Sequence, residues 1–143
     1  MFRNCPNLTN TPALLATTLA DSCYTNMFYG CTSLTSTPVL LPANALTLSC
    51  YQNMFQNCTN ITDGPTILAL STSTDSCDGM FNGCSKLSSI GVDFDTWTEG
   101  ATDNWVNGVA ANGIFEKPVE LANTEGVNNI PNGWTVKENA TID

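Results

Sequence analysis

The sequence CYTNMFYGCTSLTSTP, which covers Cys23–Pro38, is followed by the near-copy CYQNMFQNCTNITDGP, which covers Cys50–Pro65. Both stretches keep their cysteines, a Met-Phe pair and a proline at matching positions. Alignment on the Met-Phe pair adds one copy that starts at Met1 and another that starts at Met80, so the pair recurs at steps of 26, 27 and 26 residues. A fixed period in the twenties is typical of a solenoid, in which each coil buries its apolar side against the next. The chain is therefore predicted to stack successive coils.

Within a coil, apolar residues recur at every fourth position. In the second copy the series runs through Leu19, Cys23, Met27 and Cys31. A step of four favours one face of a short helix. Asp21 precedes this segment as a candidate N-cap, and Gly30 near its end suits a helix stop. The pattern predicts one short helix per coil.

The rest of each coil is rich in Ser and Thr and carries scattered apolar residues, among them Leu34, Val39 and Leu41. This composition favours one short strand per coil, paired in parallel with its neighbours at about 4.8 Å. Proline cannot donate to a central ladder, so prolines should lie at the strand ends. These prolines are Pro12, Pro38 and Pro65.

The repeated pattern MFxxCxxL…P, together with LPANAL…CY, closely resembles the BspA-like leucine-rich repeats, which occur mainly in surface proteins of gut and oral anaerobes. The resemblance covers about residues 1–90 and departs at Ser88, where SSIGVDFDTW replaces the proline segment. The tail GIFEKPVEL…IPNGWTV is similar to segments that close such arrays in Bacteroidales and phage proteins. The resemblance implies a leucine-rich-repeat fold, an extracellular or virion setting, and binding rather than catalysis.

We therefore predict an α/β solenoid, a right-handed leucine-rich-repeat-like coil with one short parallel strand and one short helix per 26–27-residue repeat, plus a small, mainly β C-terminal cap. Residues 1–92 form the solenoid of about four coils, and residues 93–143 form the capping segment. All seven cysteines lie at or before Cys84 and all three tryptophans lie after residue 92, which favours this division. Because Met1 already lies inside a repeat, the solenoid is expected to be cut from a longer protein or stacked on another body.

The composition narrows the possible functions. The chain has 13 acidic against 4 basic residues, a net charge of −9, so a phosphate backbone would be repelled. It has no histidine, so a Ser-His-Asp or Cys-His arrangement cannot be built. No apolar run reaches the roughly 20 residues of a membrane span. We expect no nucleic-acid partner, no membrane insertion and no cofactor.

One acidic stretch, VDFDTWTEG, could carry a carboxylate pair of the kind that glycosidases use. Its acids are Asp93, Asp95 and Glu99. The alternative is that Trp97 and Trp105 cover the open end of the solenoid while the acids face water, since terminal repeats need such a cap. We favour the cap and predict no enzymatic activity.

The cysteines form two rows with the period of the repeat. One row is Cys5, Cys31, Cys58 and Cys84, and the other is Cys23, Cys50 and Cys77. Their spacing lacks the Cys-x₂₋₄-Cys pairs that zinc requires, so no metal site is predicted. An odd number leaves one thiol unpaired. We favour thiols that fill the same buried niche in every coil, with disulfides between coils as the alternative. An aromatic ladder of Phe28, Phe55 and Phe81 accompanies them.

The side of a solenoid lined by its strands is its usual interaction surface. Two polar rows should lie there, first Thr9, Thr35, Thr62 and Ser88, and beside them Asn10, Ser36, Asp63 and Ser89. Such rows can hydrogen-bond sugars or a peptide backbone, although Thr and Ser also simply suit exposed strand positions.

The predicted function is a non-enzymatic binding or adhesion module of a bacterial cell-surface leucine-rich-repeat protein, with a protein or glycan ligand. The alternative is a phage structural part, such as a fibre or decoration domain, that contacts other virion proteins or the host surface. The corresponding locations are the extracellular cell surface and the virion.

Overall fold

The computed structural model describes residues 1–139, and in that range it contains five short strands and no helix. The strands are β1 (Leu40–Leu41), β2 (Thr66–Ile67), β3 (Ser89–Val92), β4 (Ile114–Pro118) and β5 (Thr135–Asn139). They form one sheet in the order β1-β2-β3-β4-β5, and every neighbouring pair is parallel. Consecutive strands can be parallel neighbours only if the chain winds round once between them. The molecule is a parallel β-solenoid of about four turns, so the predicted solenoid is confirmed.

The predicted α/β class, with one helix per coil, is wrong. In the segment from Ser22 to Cys31, every second backbone N–H donates to the carbonyl of the residue three positions earlier. Met27, for example, donates to the Tyr24 carbonyl at 3.1 Å. In an α-helix, every backbone N–H would donate to the carbonyl four residues earlier. The alternate N–H groups donate to the next coil, as Phe28 does to the Met54 carbonyl at 2.9 Å. The segment is thus a series of turns that is hydrogen-bonded to its neighbour along its length.

We call these segments the turn ribbon; they are residues 1–5, 22–31, 49–58, 75–84 and 101–108. Every fourth residue of the ribbon has a left-handed backbone, as at Ser22 (φ 58°), Asn26 (φ 58°) and Gly30 (φ 69°). Gly, Asn and Asp adopt this conformation most readily, which accounts for their recurrence. Cys23, Met27 and Cys31 each directly follow a residue with a left-handed backbone. Their four-residue spacing therefore reflects repeated turns and not one face of a helix. Asp21 and Gly30 are accordingly not helix caps.

Inward side chains of successive coils stack into columns. Phe28 and Phe55 lie 5.4 Å apart between ring centroids, with ring planes only 7° apart, so the predicted stacking of equivalent phenylalanines is confirmed. The same column extends to Phe2 at one end and, through Phe81, to Trp105 at the other, with steps of 5.5 to 5.9 Å. All but Phe2 are fully buried. This stacking supplies the apolar burial that a single coil could not provide.

The sheet and the ribbon both continue past residue 92. β3 pairs with β4 inside the predicted capping segment, with Ser89 opposite Ile114. In the ribbon, the Phe81 N–H donates to the Trp105 carbonyl at 2.8 Å. Pro65 lies directly before β2 and Pro38 lies two residues before β1, as predicted. No strand within the described residues 1–139 lies beside Pro12, so the prediction of one strand in every coil is wrong for the first coil. Residues 93–139 therefore extend the solenoid by two strands. The predicted division of the chain at residue 92 into a solenoid and a capping segment stays a prediction.

The C-terminal end of the solenoid is covered by its own chain. The Asn104 N–H donates to the side-chain oxygen of Asn128 at 2.7 Å, and the Trp105 indole N–H donates to the Asn129 carbonyl at 2.8 Å. The Trp134 indole N–H donates to the Ala110 carbonyl at 2.7 Å. Of the ribbon N–H groups that would donate to a further coil, those of Asn104 and Val106 find partners within this segment.

Candidate binding surface

The two polar rows predicted from the sequence come together in the structure. In the first row, the Thr35 N–H donates to the Thr9 carbonyl at 3.2 Å and the Ser88 N–H donates to the Thr62 carbonyl at 2.9 Å. In the second row, Ser36 forms a parallel bridge with Asp63. Equivalent residues therefore sit on adjacent coils in register. We call this surface, made of Thr9, Asn10, Thr35, Ser36, Thr62, Asp63, Ser88 and Ser89, the hydroxyl-rich face.

Side chains of the hydroxyl-rich face bond along the rows as well as facing water. The Ser36 hydroxyl donates to the Asn10 side-chain oxygen at 3.4 Å, and the Ser89 hydroxyl donates to an Asp63 carboxylate oxygen at 3.3 Å. The residues of the first three coils are exposed, whereas Ser88 and Ser89 are half-buried. Each hydroxyl keeps acceptor capacity after donating once. The rows thus offer fixed oxygen acceptors, with Asp63 as their only charged side chain.

Sequence reasoning missed a shallow depression beside these rows. It has a volume of about 140 Å³ and is lined by Gly64, Thr66, Ser89, Ile90, Gly91, Ile114 and Glu116. Two of the lining residues are glycines, so no side chain fills the sheet surface there. A Cβ on Gly91 would meet the Thr66 side chain at 2.8 Å. Gly64 before β2 and Gly91 within β3 were the available signal, since glycine within a strand marks a place where another group approaches closely.

An apolar groove on the first two coils was also missed. It has a volume of about 350 Å³ and is lined by Ala13, Leu14, Leu15, Pro38, Val39, Leu40 and Pro42. Leu15 is 80% exposed and Val39 is 82% exposed, although Leu34 and Leu41 of the same predicted strand segment are fully buried. Apolar character alone could not separate the inward from the outward residues of this segment.

Three cysteines of one row, Cys31, Cys58 and Cys84, bond to the preceding coil through their thiols. All seven are free; five are buried, Cys5 is half-buried and Cys23 is exposed. The thiol of Cys58 donates to the Phe28 carbonyl of the preceding coil at 3.0 Å, and Cys84 does the same to Phe55 at 3.0 Å. Burial raises the pKa of the Cys58 thiol to about 12, so it stays protonated and able to donate. The geometry assigns this row a packing and hydrogen-bonding role.

The acids considered for catalysis do not share a cleft. Glu99 and Trp97 line a depression of about 210 Å³, whose lining includes neither Asp93 nor Asp95. Burial raises the pKa of Asp93, while Asp95 accepts a hydrogen bond from the neighbouring Thr96 hydroxyl at 3.0 Å. Trp97 is half-buried and donates its indole N–H to the Ala122 carbonyl at 2.9 Å. Asp93 and Asp95 thus do not line the depression that contains Glu99, whose second carboxylate is that of Asp103.

A polar trough on the turn ribbon contains a carboxylate that the sequence did not single out. It has a volume of about 390 Å³, and Asp78 and Asp103 lie in its wall among Asn and Gln side chains. Asp78 accepts a hydrogen bond from the Asp103 N–H at 2.9 Å. Burial, together with the nearby carboxylates of Asp75 and Asp103, raises the pKa of Asp78 to about 6. Stacking of successive coils brings Asp103 beside Asp78, although the two residues are distant in the sequence.

The comparisons with known proteins add no relative: no family model, no curated protein and no solved structure matches this chain. In residues 1–139, no three Cys, Asp or Glu side chains are grouped so as to hold a metal ion. The same range contains no helix with the length and apolar character to cross a bilayer.

Proposed function

We propose that this chain is a non-enzymatic binding module of a bacterial cell-surface repeat protein, and that the hydroxyl-rich face binds its ligand. The observation that carries the proposal is the register of that face. Polar side chains of adjacent coils lie directly over one another, and the Ser36–Asp63 and Thr35–Thr9 contacts hold them in place. A ligand with its own repeat of hydroxyl or amide groups can bond to several coils at once.

The chemistry of the face favours a glycan or an extended peptide. Its side chains are short and held by contacts between coils, so little conformational entropy is lost when a ligand binds. Asp63 is its only charge, which makes an ionic ligand a poor fit. The neighbouring depression between Gly64 and Gly91 leaves room for a group that projects from the ligand. Membership of the BspA-like repeat family and a location at the cell surface are parts of this proposal, and they rest on the spacing of the Phe, Cys, Leu and Pro residues.

A phage structural part is the second candidate, and the exposed apolar groove favours it. Contiguous exposed apolar surface marks sites of contact with other proteins. Leu15 and Val39 lie on the surface of this groove. In a virion, this surface would contact a neighbouring subunit.

The test is binding of the labelled protein to an array of mucin and bacterial-surface glycans. Thr35→Lys combined with Thr62→Lys places two long cations in adjacent coils of the first row, and we expect at least a tenfold loss of binding. Ala45→Lys combined with Ser71→Lys is the matched control. It adds the same charge at two exposed residues of adjacent coils outside the face, and it should bind like the wild type. Equal binding by both double variants would exclude the hydroxyl-rich face.

A further inference from the structure

The backbone-to-backbone hydrogen bonds between coils of the turn ribbon run in one direction. The Phe2 N–H donates to the Met27 carbonyl at 3.0 Å, and the Asn26 N–H donates to the Gln52 carbonyl at 2.9 Å. In each pair of adjacent ribbon coils, backbone N–H groups of the earlier coil donate to carbonyls of the later coil. The two ends of the ribbon are therefore chemically different, because one presents carbonyl acceptors and the other presents N–H donors.

The acceptor end is open in the part of the chain that the structure describes. The ribbon carbonyls that face away from the later coils belong to Met1, Arg3, Asp21, Cys23 and Thr25, and no backbone N–H in residues 1–139 donates to them. Arg3 receives only the thiol of Cys5, at 3.9 Å. The equivalent carbonyls one coil later, those of Cys50 and Gln52, are taken by Tyr24 and Asn26. We call the surface made by residues 1–8 and 21–25 the N-terminal face.

Side chains of the N-terminal face are uncovered where their equivalents are buried. Cys23 is exposed, but Cys50 and Cys77 in the next two coils are fully buried. Tyr24 is half-buried and stacks on Tyr51, which is only 1% exposed, with centroids 6.0 Å apart. Phe2 stacks on Phe28 in the same way, at the end of the aromatic column. This face thus has the chemistry of a coil-to-coil interface and is exposed.

A second copy of this chain is a poor partner for this interface. At the donor end, Asn128 already accepts the Asn104 N–H and Val127 already accepts the Val106 N–H at 3.2 Å, so the two central donors of the last ribbon coil are taken. Two N-terminal faces placed together would set ribbon carbonyls against ribbon carbonyls, which leaves every one of them without a donor.

We propose that the N-terminal face is a docking surface for a further coil of this repeat. The partner is a polypeptide segment that offers backbone N–H donors at every second residue, with an aromatic ring placed over Phe2 and another over Tyr24. The argument rests on continuity, because each later coil of the ribbon is covered in this way by the coil before it. The inference is independent of the hydroxyl-rich face and of any ligand bound there.

The experiment adds one coil by duplicating residues 1–26 in front of Met1. The added copy carries Cys5→Ser and Cys23→Ser, so that the original Cys23 can be followed alone. By the observed register, the added Tyr24 and Asn26 would donate to the original Cys23 and Thr25 carbonyls. We expect alkylation of the original Cys23 by iodoacetamide, measured by peptide mass spectrometry, to slow at least tenfold, and the thermal midpoint to rise. An added segment with the same 26 residues in scrambled order should change neither.

Three outcomes would overturn the proposal. Unchanged alkylation of the original Cys23 in the duplicated protein would show that the face does not accept a coil. Equal protection by the scrambled segment would show that mere coverage, without matched donors, accounts for the effect. Sedimentation of the wild type as a dimer in which Cys23 is protected would make a second copy the occupant. The duplication leaves the hydroxyl-rich face unaltered, so glycan binding provides a separate readout of the proposed function.

Discussion

Lys117 is a buried cation at the end of an apolar column. Leu41 pairs with Ile67 and Ile67 with Val92, and continuing the β3–β4 register places Lys117 beside Val92. Its ammonium group donates to the Leu121 carbonyl at 2.6 Å and lies 3.4 Å from the carboxylate of Glu138. An inward-pointing charge discourages further stacking of strands. The sheet nevertheless continues, because β5 places Glu138 opposite Lys117, so the buried ammonium group has its partners within the fold and fastens the turn after β4.

Lys117→Ala is expected to lower the free energy of unfolding by about 2–4 kcal/mol, because it leaves a cavity and a buried carbonyl without a donor. Lys137→Ala is the matched control, since Lys137 lies in β5 and forms an exposed ion pair with Glu116 at 3.7 Å. Exposed pairs contribute little, so that change should cost less than about 1 kcal/mol. Urea denaturation measures both variants. Equal losses would contradict the structural role of Lys117.

At the scale of the element, the turn ribbon depends on left-handed residues at every fourth position. Asn26 has a φ of 58°, and the equivalent residues Asn53 and Gly79 have φ values of 53° and 59°. A residue with a Cβ costs roughly 1–2 kcal/mol in this conformation, and asparagine partly escapes that cost through local hydrogen bonds. Along the ribbon, positions that require a left-handed backbone thus alternate with positions whose side chains are buried.

Asn26→Ala should therefore destabilise the protein by about 1 kcal/mol, whereas Asn26→Gly should be close to neutral because glycine adopts positive φ readily. Thermal or urea unfolding of the pair checks this directly. In a helix the ranking would be the reverse, since alanine stabilises and glycine destabilises a helix interior. A more stable alanine variant would contradict the turn ribbon itself.

The helix prediction failed at this scale for a definable reason. Leu19, Cys23, Met27 and Cys31 are four residues apart, and both a helix and a series of four-residue turns produce that spacing. The difference lies in where the backbone N–H groups go. The Phe28 N–H bonds to Met54, a residue 26 positions away, and no local pattern reports that partner. The residues of the two polar rows do align, because they recur with the repeat and stacking alone places them side by side, but only Ser89 of them lies in a strand, and their role in binding stays a prediction.

At the scale of the whole molecule, the stack holds five buried thiols in an apolar interior. They are Cys31, Cys50, Cys58, Cys77 and Cys84, and burial raises the pKa of each. At Cys58, burial raises the pKa to about 12. The thiols therefore remain protonated in the folded protein at a pH where the unfolded chain has lost those protons.

We predict that stability falls as the pH rises above about 8.5, the ordinary pKa of a thiol. Below that pH both states are protonated and the thiols contribute no pH dependence. Above it, the unfolded state releases protons that the folded state keeps, so unfolding becomes more favourable, and for Cys58 the loss continues up to about pH 12. Urea denaturation under reducing conditions at pH 7, 8.5 and 10 measures the slope. Cys58→Ala should show a shallower slope than the wild type, and a flat profile would contradict the burial of the thiols.

The sequence by itself determined that the coils repeat, that they stack, and which residues of successive coils are neighbours. It could do so because a period of 26 or 27 residues places the same side chain over itself, as with Phe28 and Phe55, whatever the local conformation. Only the tertiary structure decided that the four-residue spacing is a ribbon of turns, that Val39 faces water and that Lys117 is buried. Each of these depends on hydrogen bonds or packing between coils, and such contacts exist only once the neighbouring coil is in place.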